Sequence, residues 1–479
     1  MPQSPTPTAP HSSPTAPARS DLLVMFGASG DLAKKKLFPA VYRLEKRGLL
    51  GVPVIGVALD DWSTADLVEH ARAAIQDEGE EWDQAAFDRL AASMSYVSGD
   101  YSDPATFERL KTAAGTPQHP IFHFAIPPSM FATVAQGIAG VGLDQGARLI
   151  IEKPFGRDHD SAVELSATLH EHFPESAIFR IDHFVGKEAL RSLLVTRFAN
   201  AITEPLWNRN IVSSVKITMA EAFGVEDRGA FYDSVGAMRD VMQNHLLQMV
   251  ALVAMEQPVN ETAKALRDEK AKVLEACRVI DPKHYVRGQY DGYLDVPGVR
   301  AGSDTETYGA FRLDIDSPRW SGVPFFLRAG KAMAQTVTEM TVEFHRPPRP
   351  LWIDEHSHVP HNQIRIEVKP DNFDSLTLLR KTPGEGMLPE AVTIAPPPEL
   401  RADGGPEPYE LLIEEAMKGD PTLFAREDTV LESWRVVERI LTEYAPVERY
   451  AQGSWGPASA SALARRSGGW PEEPPGEPV

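Results

Sequence analysis

The sequence predicts an α/β + α+β chain: an N-terminal Rossmann-like, doubly wound domain followed by a larger α+β domain on a mainly antiparallel sheet. Three observations predict it. The first half alternates short apolar runs with amphipathic stretches, the mark of a parallel sheet with helices on both faces. The second half carries apolar–polar alternation of period two, which belongs to antiparallel strands with one wet face. A length of 479 residues is also more than one core usually serves.

Taken in order, residues 1–20 are mostly Pro, Ser, Thr and Ala. They bury too little apolar surface to offset ordering entropy and predict a disordered leader. Residues 22–26 form a buried strand and 32–47 a helix, then 52–58 a strand and 65–78 a helix. Further strands follow at 121–125 and 148–152. The alternating segments are 212–221, 308–316, 337–345, 363–368 and 375–380, flanked by helices at 236–255, 263–276 and 430–443. The expected division is a dinucleotide-binding domain over 21–200, a larger α+β substrate domain over 201–455, and a flexible tail over 456–479.

Composition narrows the function classes. Lys plus Arg number 48 against 68 Asp plus Glu, a formal charge of −20. Nucleic-acid phosphates and anionic membranes both demand a basic face, so neither is an expected partner. The longest apolar stretch, 246–255, is interrupted by Gln248 and too short to span a bilayer. One cysteine, Cys277, excludes a disulfide framework and a cysteine zinc site, and no metal is expected. The N-terminus lacks the apolar core of a signal peptide, so the expectation is a cytoplasmic enzyme or binding protein.

Residues 22–26 run directly into Gly27-Ala28-Ser29-Gly30-Asp31-Leu32. Strand, glycine turn and helix make an anion site, because backbone N–H groups and the helix dipole converge on a pyrophosphate. The second strand ends Leu59-Asp60-Asp61. An acidic residue there accepts from the ribose 2′-hydroxyl of NAD, whereas a cation welcomes the 2′-phosphate of NADP. An Asp within ~4 Å of a phosphate dianion is repelled, so Asp60 predicts NAD over NADP. The alternative is that Asp60 and Asp61 cap the next helix.

Three polar segments stand out. EKPFG, at 152–156, ends a strand at the sheet's carboxyl edge and carries Lys153. RIDHFVGKE, at 180–188, places His183 and Lys187 four apart; on a helix they share a face and clamp an anion. RDVMQNHLLQ, at 239–248, carries Asp240 and His245 on an apolar helix. Each has a bland reading: His245 as a core histidine, Asp182 as a helix cap, Lys187 as a solvated charge, Glu221 on an exposed strand face.

These segments, with GASGDLAKKKLFPA, RFAN, WNR, AMEQP, RWSGVPFFLRAGK and YELLIEEAMKGDPTLFAREDTVLESWR, resemble the glucose-6-phosphate dehydrogenase family over roughly 21–445. The resemblance implies a homodimer or homotetramer that oxidises C1 of a hexose 6-phosphate, with hydride transfer to NAD or NADP, and it adds dimerisation to the role of 201–455. It implies that His245 is the base and that Asp182 holds its other ring nitrogen. It further implies that His183 and Lys187 bind the phosphate, that Lys153 lies between sugar and nicotinamide, and that Glu221, Asp240 and Lys331 complete the sugar site. General-base chemistry suits an imidazole.

The chain departs from the family pattern in four places. Phe184 stands where a tyrosine is usual, Thr336 where a basic residue is usual, Leu59 where an Arg is usual, and Lys369 where a Gln is usual. The phosphate site thus loses a hydroxyl and a cation, and Lys369 is the candidate replacement. The alternatives to the hexose-phosphate dehydrogenase are a Rossmann oxidoreductase for a different or unphosphorylated sugar, and a catalytically silent sugar-phosphate sensor.

Overall fold

The computed structural model describes residues 17–353, 360–384, 386–397, 401 and 405–471. The first sheet contains β1 (Leu22–Phe26), β2 (Val54–Ala58), β3 (Met94–Ser98), β4 (Pro120–Phe124), β5 (Arg148–Ile151) and β6 (Ile178–Arg180). Its order is β3-β2-β1-β4-β5-β6 with every pair parallel. This is the Rossmann order, whose direction of winding reverses between β1 and β4, where ligands bind beyond the carboxyl ends. β1 is buried throughout because both faces are covered. Leu23 and Met25 pack with Phe38 and Tyr42, and Val24 and Phe26 pack with Phe122, Phe124 and Phe131.

The second sheet contains β7 (Val212–Ala220), β8 (Tyr285–Tyr290), β9 (Tyr308–Leu313), β10 (Phe325–Gly330), β11 (Val337–Phe344), β12 (Gln363–Lys369), β13 (Phe373–Lys381), β14 (Pro389–Ile394) and β15 (Glu448–Tyr450). The order is β14-β13-β12-β11-β7-β10-β9-β8-β15. Pairing is antiparallel except at β7 with β10 and β8 with β15. The largest core lies against this sheet and includes Met249, Val253, Trp320 and Trp434. Among the described residues, no helix is long and apolar enough to cross a membrane.

Packing crosses between the two sheets. Ala189, Leu190 and Leu193 of the helix Glu188–Phe198 belong to the core against the second sheet. Conversely, Leu412, Ile413, Ala416 and Met417 of the helix Pro408–Lys418 return to the first core. Their apolar stripe matches the surface left beside Phe38 and Phe424.

Both expected flexible ends are partly docked. Residues 1–16 lie outside the described residues, but Ser20 N–H donates to Met417 O (2.8 Å) and Arg148 Nη2 donates to Ala18 O (2.6 Å). At the other end, the tail forms a helix at Ala458–Ala464. Trp470, only 2 % exposed, then stacks its ring over the Arg328 guanidinium at 4.3 Å. One buried indole contributes enough area to anchor a short tail that composition alone marks as loose. Residues 472–479 lie outside the described residues.

Candidate active site

β1 delivers the chain to Gly27 at the reversal point of the first sheet. Gly27 has φ +79°, and a Cβ there would lie 2.2 Å from Ala125 O. Only glycine allows this turn to pass so close to the chain leaving β4. Gly27 N–H donates to Val57 O (2.9 Å). Ala28 is buried, Ser29 and Leu32 are half-buried, and Gly30 and Asp31 are exposed at the crevice mouth. The tight glycine turn at this crevice, leading into a helix N-terminus, fits a dinucleotide pyrophosphate. Asp60 follows β2 and is exposed. It does not cap the next helix, since Ser63 does that with Asp66; its carbonyl accepts from Tyr96 Oη (2.8 Å) and from the Trp62 N–H (2.9 Å).

Lys153 and Asp182 follow β5 and β6 at the same edge. His245 comes from the second body, on a helix that begins at Gly236. Gly236 has φ +68°, and a Cβ would lie 2.5 Å from Glu306 Oε1, so glycine is required at the kink. The expected α-helix over 236–255 is instead a π-helix over Met238–Leu246 followed by an α-helix over Leu247–Ala254. The wider turn is a feature often found at functional sites. Here it turns Asp240 and His245 toward one ligand: Lys153 Nζ donates to Asp240 O (2.7 Å) and lies 3.1 Å from His245 Nε2.

His245 Nδ1 lies 2.6 Å from Asp182 Oδ1, and both residues are buried. Asp182 Oδ1 also accepts the Phe184 N–H (3.0 Å). The ammonium at Nε2 and the carboxylate at Nδ1 together assign the tautomer: Nδ1 donates and Nε2 keeps its lone pair. Burial pushes the Asp182 carboxyl up, but the neighbouring His245 outweighs this and holds it well below the usual carboxylate range. Burial pushes His245 down; Asp182 opposes and Lys153 adds to the fall, leaving the imidazole below its ordinary value. A neutral imidazole whose Nε2 lone pair faces the crevice beside Lys153, oriented by an ionised carboxylate, can act as a general base at neutral pH.

The remaining expected residues surround this pair. Asp240 is pushed up by burial but held low on balance by Lys153 and Lys331. Lys331 forms an ion pair with Glu221; the two extend from the ends of adjacent strands β10 and β7. Thr336 caps this corner by accepting the Ala222 N–H (3.0 Å). Phe184, in place of a hydroxyl donor, lays its ring 4.4 Å from that of His245.

The expected helical clamp of His183 and Lys187 takes another form. Residues 183–187 make a turn, and Lys187 is the N-cap of the helix Glu188–Phe198. The cause is Asp182, whose bond to Phe184 N–H holds the chain in a local turn that competes with helix. His183 is pushed down to about 3, first by burial and then by His245. It is therefore neutral, and the positive charge of the corner rests on Lys187 and the helix N-terminus. Lys369 ends β12, away from the dyad. Three residues on, Asn372 Oδ1 accepts the Ala189 N–H (2.7 Å), which places the turn after Lys369 at the first turn of the helix that Lys187 begins.

Tyr409 is a member of the site that the sequence did not single out. Its ring stacks on His183 at 6.2 Å and 17°, and its hydroxyl donates to Glu152 Oε2 (3.2 Å). Glu152 Oε1 in turn meets His123 Nε2 (2.9 Å). Tyr409 and Glu152 are 257 positions apart, so no local pattern joins them.

A Rossmann-order sheet, a glycine turn at its reversal point and a buried His–Asp pair facing the same edge define a nicotinamide-dependent dehydrogenase. Comparison with known families narrows this. Residues 24–192 match the model described as glucose-6-phosphate dehydrogenase, NAD binding domain, and residues 194–471 match its C-terminal domain. The chain belongs to the glucose-6-phosphate dehydrogenase family. It is 44% identical over 459 residues to glucose-6-phosphate 1-dehydrogenase 1 of Mycobacterium tuberculosis, covering 94% of this chain and 96% of that one. Identity to the Bacillus subtilis glucose-6-phosphate 1-dehydrogenase is 36% over 478 residues, 93% and 97% of the two chains. Among solved structures, that of glucose-6-phosphate 1-dehydrogenase from Mycobacterium avium matches with TM-score 0.88 at 45% identity, over 95% of this chain and 99% of that one. A glucose-6-phosphate dehydrogenase in complex with its substrate glucose-6-phosphate matches with TM-score 0.88 at 33% identity, over 96% and 100%.

Proposed function

We propose that this protein oxidises C1 of glucose 6-phosphate to 6-phosphogluconolactone, with NAD preferred to NADP as the oxidant. The observation that carries the mechanism is His245, held at Nδ1 by Asp182 and facing Lys153 at Nε2. His245 Nε2 takes the proton of the C1 hydroxyl, and Asp182 stabilises the imidazolium that forms. A bound nicotinamide supplies the hydride acceptor. Gly27, Ala28, Ser29, Gly30, Asp31 and Leu32 hold its pyrophosphate, Asp60 its adenine ribose, and Lys153 borders its nicotinamide.

Glu221, Asp240 and Lys331 meet the sugar hydroxyls. Lys187, His183 and Lys369 meet the 6-phosphate, with Lys369 in the role of the cation that Thr336 does not supply. A homo-oligomer is supported by the exposed apolar side chains Leu378, Leu388 and Ile394 on and beside the outer strands β13 and β14. The test is purified protein with a panel of hexoses and hexose 6-phosphates crossed with NAD and NADP, followed by the absorbance of the reduced nicotinamide. Turnover confined to unphosphorylated sugars, or none, overturns the substrate; a higher kcat/KM with NADP overturns the cofactor preference.

A further inference from the structure

The dyad borders a small cavity of about 20 Å³ lined by Asp182, His245, Gln248, Val430 and Ser433, among others. That is room for one water. Two of the residues lining it carry a buried oxygen without a protein partner among the described residues, Asp182 Oδ2 and Gln248 Oε1. Both are acceptors, so they cannot satisfy each other; a donor with two hydrogens satisfies both. The Ser433 hydroxyl donates to Thr429 O (2.7 Å) and has only lone pairs left to offer.

Lys270, on the helix Ala263–Ala276, is 1 % exposed, and the mechanism above gives it no role. The charged groups that face it are Asp182 from the loop after β6, Asp428 from the helix Glu427–Val437, and Arg267 on its own helix. Burial pushes its ammonium down, Asp182 and Asp428 support it, Arg267 opposes it, and it stands at about 8. It therefore carries charge at neutral pH. A buried ammonium of this kind is costly unless its field is used.

We infer that Gln248 and Lys270 are positioning residues for the dyad: a single water in the cavity donates to Asp182 Oδ2 and Gln248 Oε1, and the field of the buried Lys270 ammonium acts on the Asp182 charge. This rests on the assignment of His245 and Asp182 as base and orienting acid. Anchored at Oδ2, the carboxylate keeps Oδ1 on His245 Nδ1. The cation also draws on the same negative charge that supports the imidazolium, so it lowers the proton affinity of His245. The other groups facing His245 are His183, Lys153 and Asp240, and the variants below leave all three in place.

The test is a panel of Lys270→Met, Lys270→Arg, Gln248→Met and His245→Asn, assayed for kcat, KM and the pH profile of kcat/KM. Removing the cation strengthens the hold on the imidazolium proton, so the acid-side midpoint in Lys270→Met moves up by about half a pH unit. Its kcat falls about fivefold, with KM for glucose 6-phosphate within about twofold. Lys270→Arg restores the midpoint. Gln248→Met lowers kcat about threefold with the midpoint in place, and a crystal structure of the unaltered protein shows one ordered water between Asp182 and Gln248.

A purely structural Lys270 lowers Tm and the active fraction but leaves the midpoint of folded enzyme where it was; that result overturns the inference. If Lys270→Met does not fold, an unchanged kcat in Gln248→Met, or a dry cavity in the crystal, overturns it instead. Turnover by His245→Asn sinks the dyad assignment itself. An inactive His245→Asn beside unaltered Lys270→Met and Gln248→Met sinks only the positioning network.

Discussion

At the reacting corner, His245 and Asp182 are buried, and each nitrogen of the ring has a named neighbour within 3.1 Å. At the phosphate corner, the charged groups Lys187 and Lys369 are half-buried on a helix N-cap and a strand end, beside the neutral His183. The contrast is one of dielectric. Charges excluded from water act strongly and hold one geometry, whereas half-solvated charges are screened and tolerate replacement. The departures from the family pattern fall on both sides of this division: Phe184 is buried with its ring 4.4 Å from that of His245, whereas Lys369 ends β12 and Thr336 caps the turn beside Glu221, and His245, Asp182 and Lys153 are all in place. Substitutions at the first corner should therefore appear in kcat and those at the second in KM.

The largest expected effect is at the base. His245→Asn removes proton abstraction while keeping a polar side chain of similar reach, and kcat should fall about a thousandfold. KM for glucose 6-phosphate should change little, because the lost interaction forms in the transition state. A rise in KM with kcat preserved breaks the comparison.

Asp182→Asn comes next, with a loss of about a hundredfold in kcat. Its pH profile carries the sign. Asp182 raises the pKa of His245 against the depression caused by burial. Without that charge the acid limb of kcat/KM should move to lower pH, the opposite of Lys270→Met. The unaltered enzyme should lose kcat/KM only below the ordinary histidine range, as His245 becomes protonated.

At the phosphate corner, Lys187→Gln should raise KM for glucose 6-phosphate about ten- to hundredfold, the loss of one charge-assisted contact, with kcat within a few-fold. Lys369→Gln should raise it about tenfold and leave free-glucose turnover alone. Equal effects on both sugars remove Lys369 from the phosphate site.

The same contrast explains what could be read before folding. β1 was anticipated to the residue, because a five-residue apolar run before a glycine turn has a single use. The Asp182–His245 contact follows from the family resemblance alone; the two segments taken by themselves leave a core histidine and a helix cap as open readings. β10, buried along its whole length, was missed: a central strand covered on both faces shows no period-two signal. The turn at 183–187 was mistaken for helix because spacing alone does not report the bond from Asp182 to Phe184. Tyr409 and the first-core role of the helix Pro408–Lys418 depend on contacts between distant segments, which local periodicity does not encode.

The smallest expected effect lies at a third corner, the end of β2. Asp60 and Leu59 are exposed there, Leu59 by 70 %. An exposed carboxylate interacts weakly through solvent and salt. Asp60→Asn should thus narrow the preference for NAD over NADP only a few-fold, and less at high ionic strength. Leu59→Arg, which adds a bidentate partner for a 2′-phosphate, should shift the ratio of kcat/KM values further toward NADP. Both act at the adenosine end and should leave the pH midpoint of His245 unmoved. A cofactor substitution that moved that midpoint would mean the two ends of the crevice are coupled, against the separation of buried chemistry from solvated recognition.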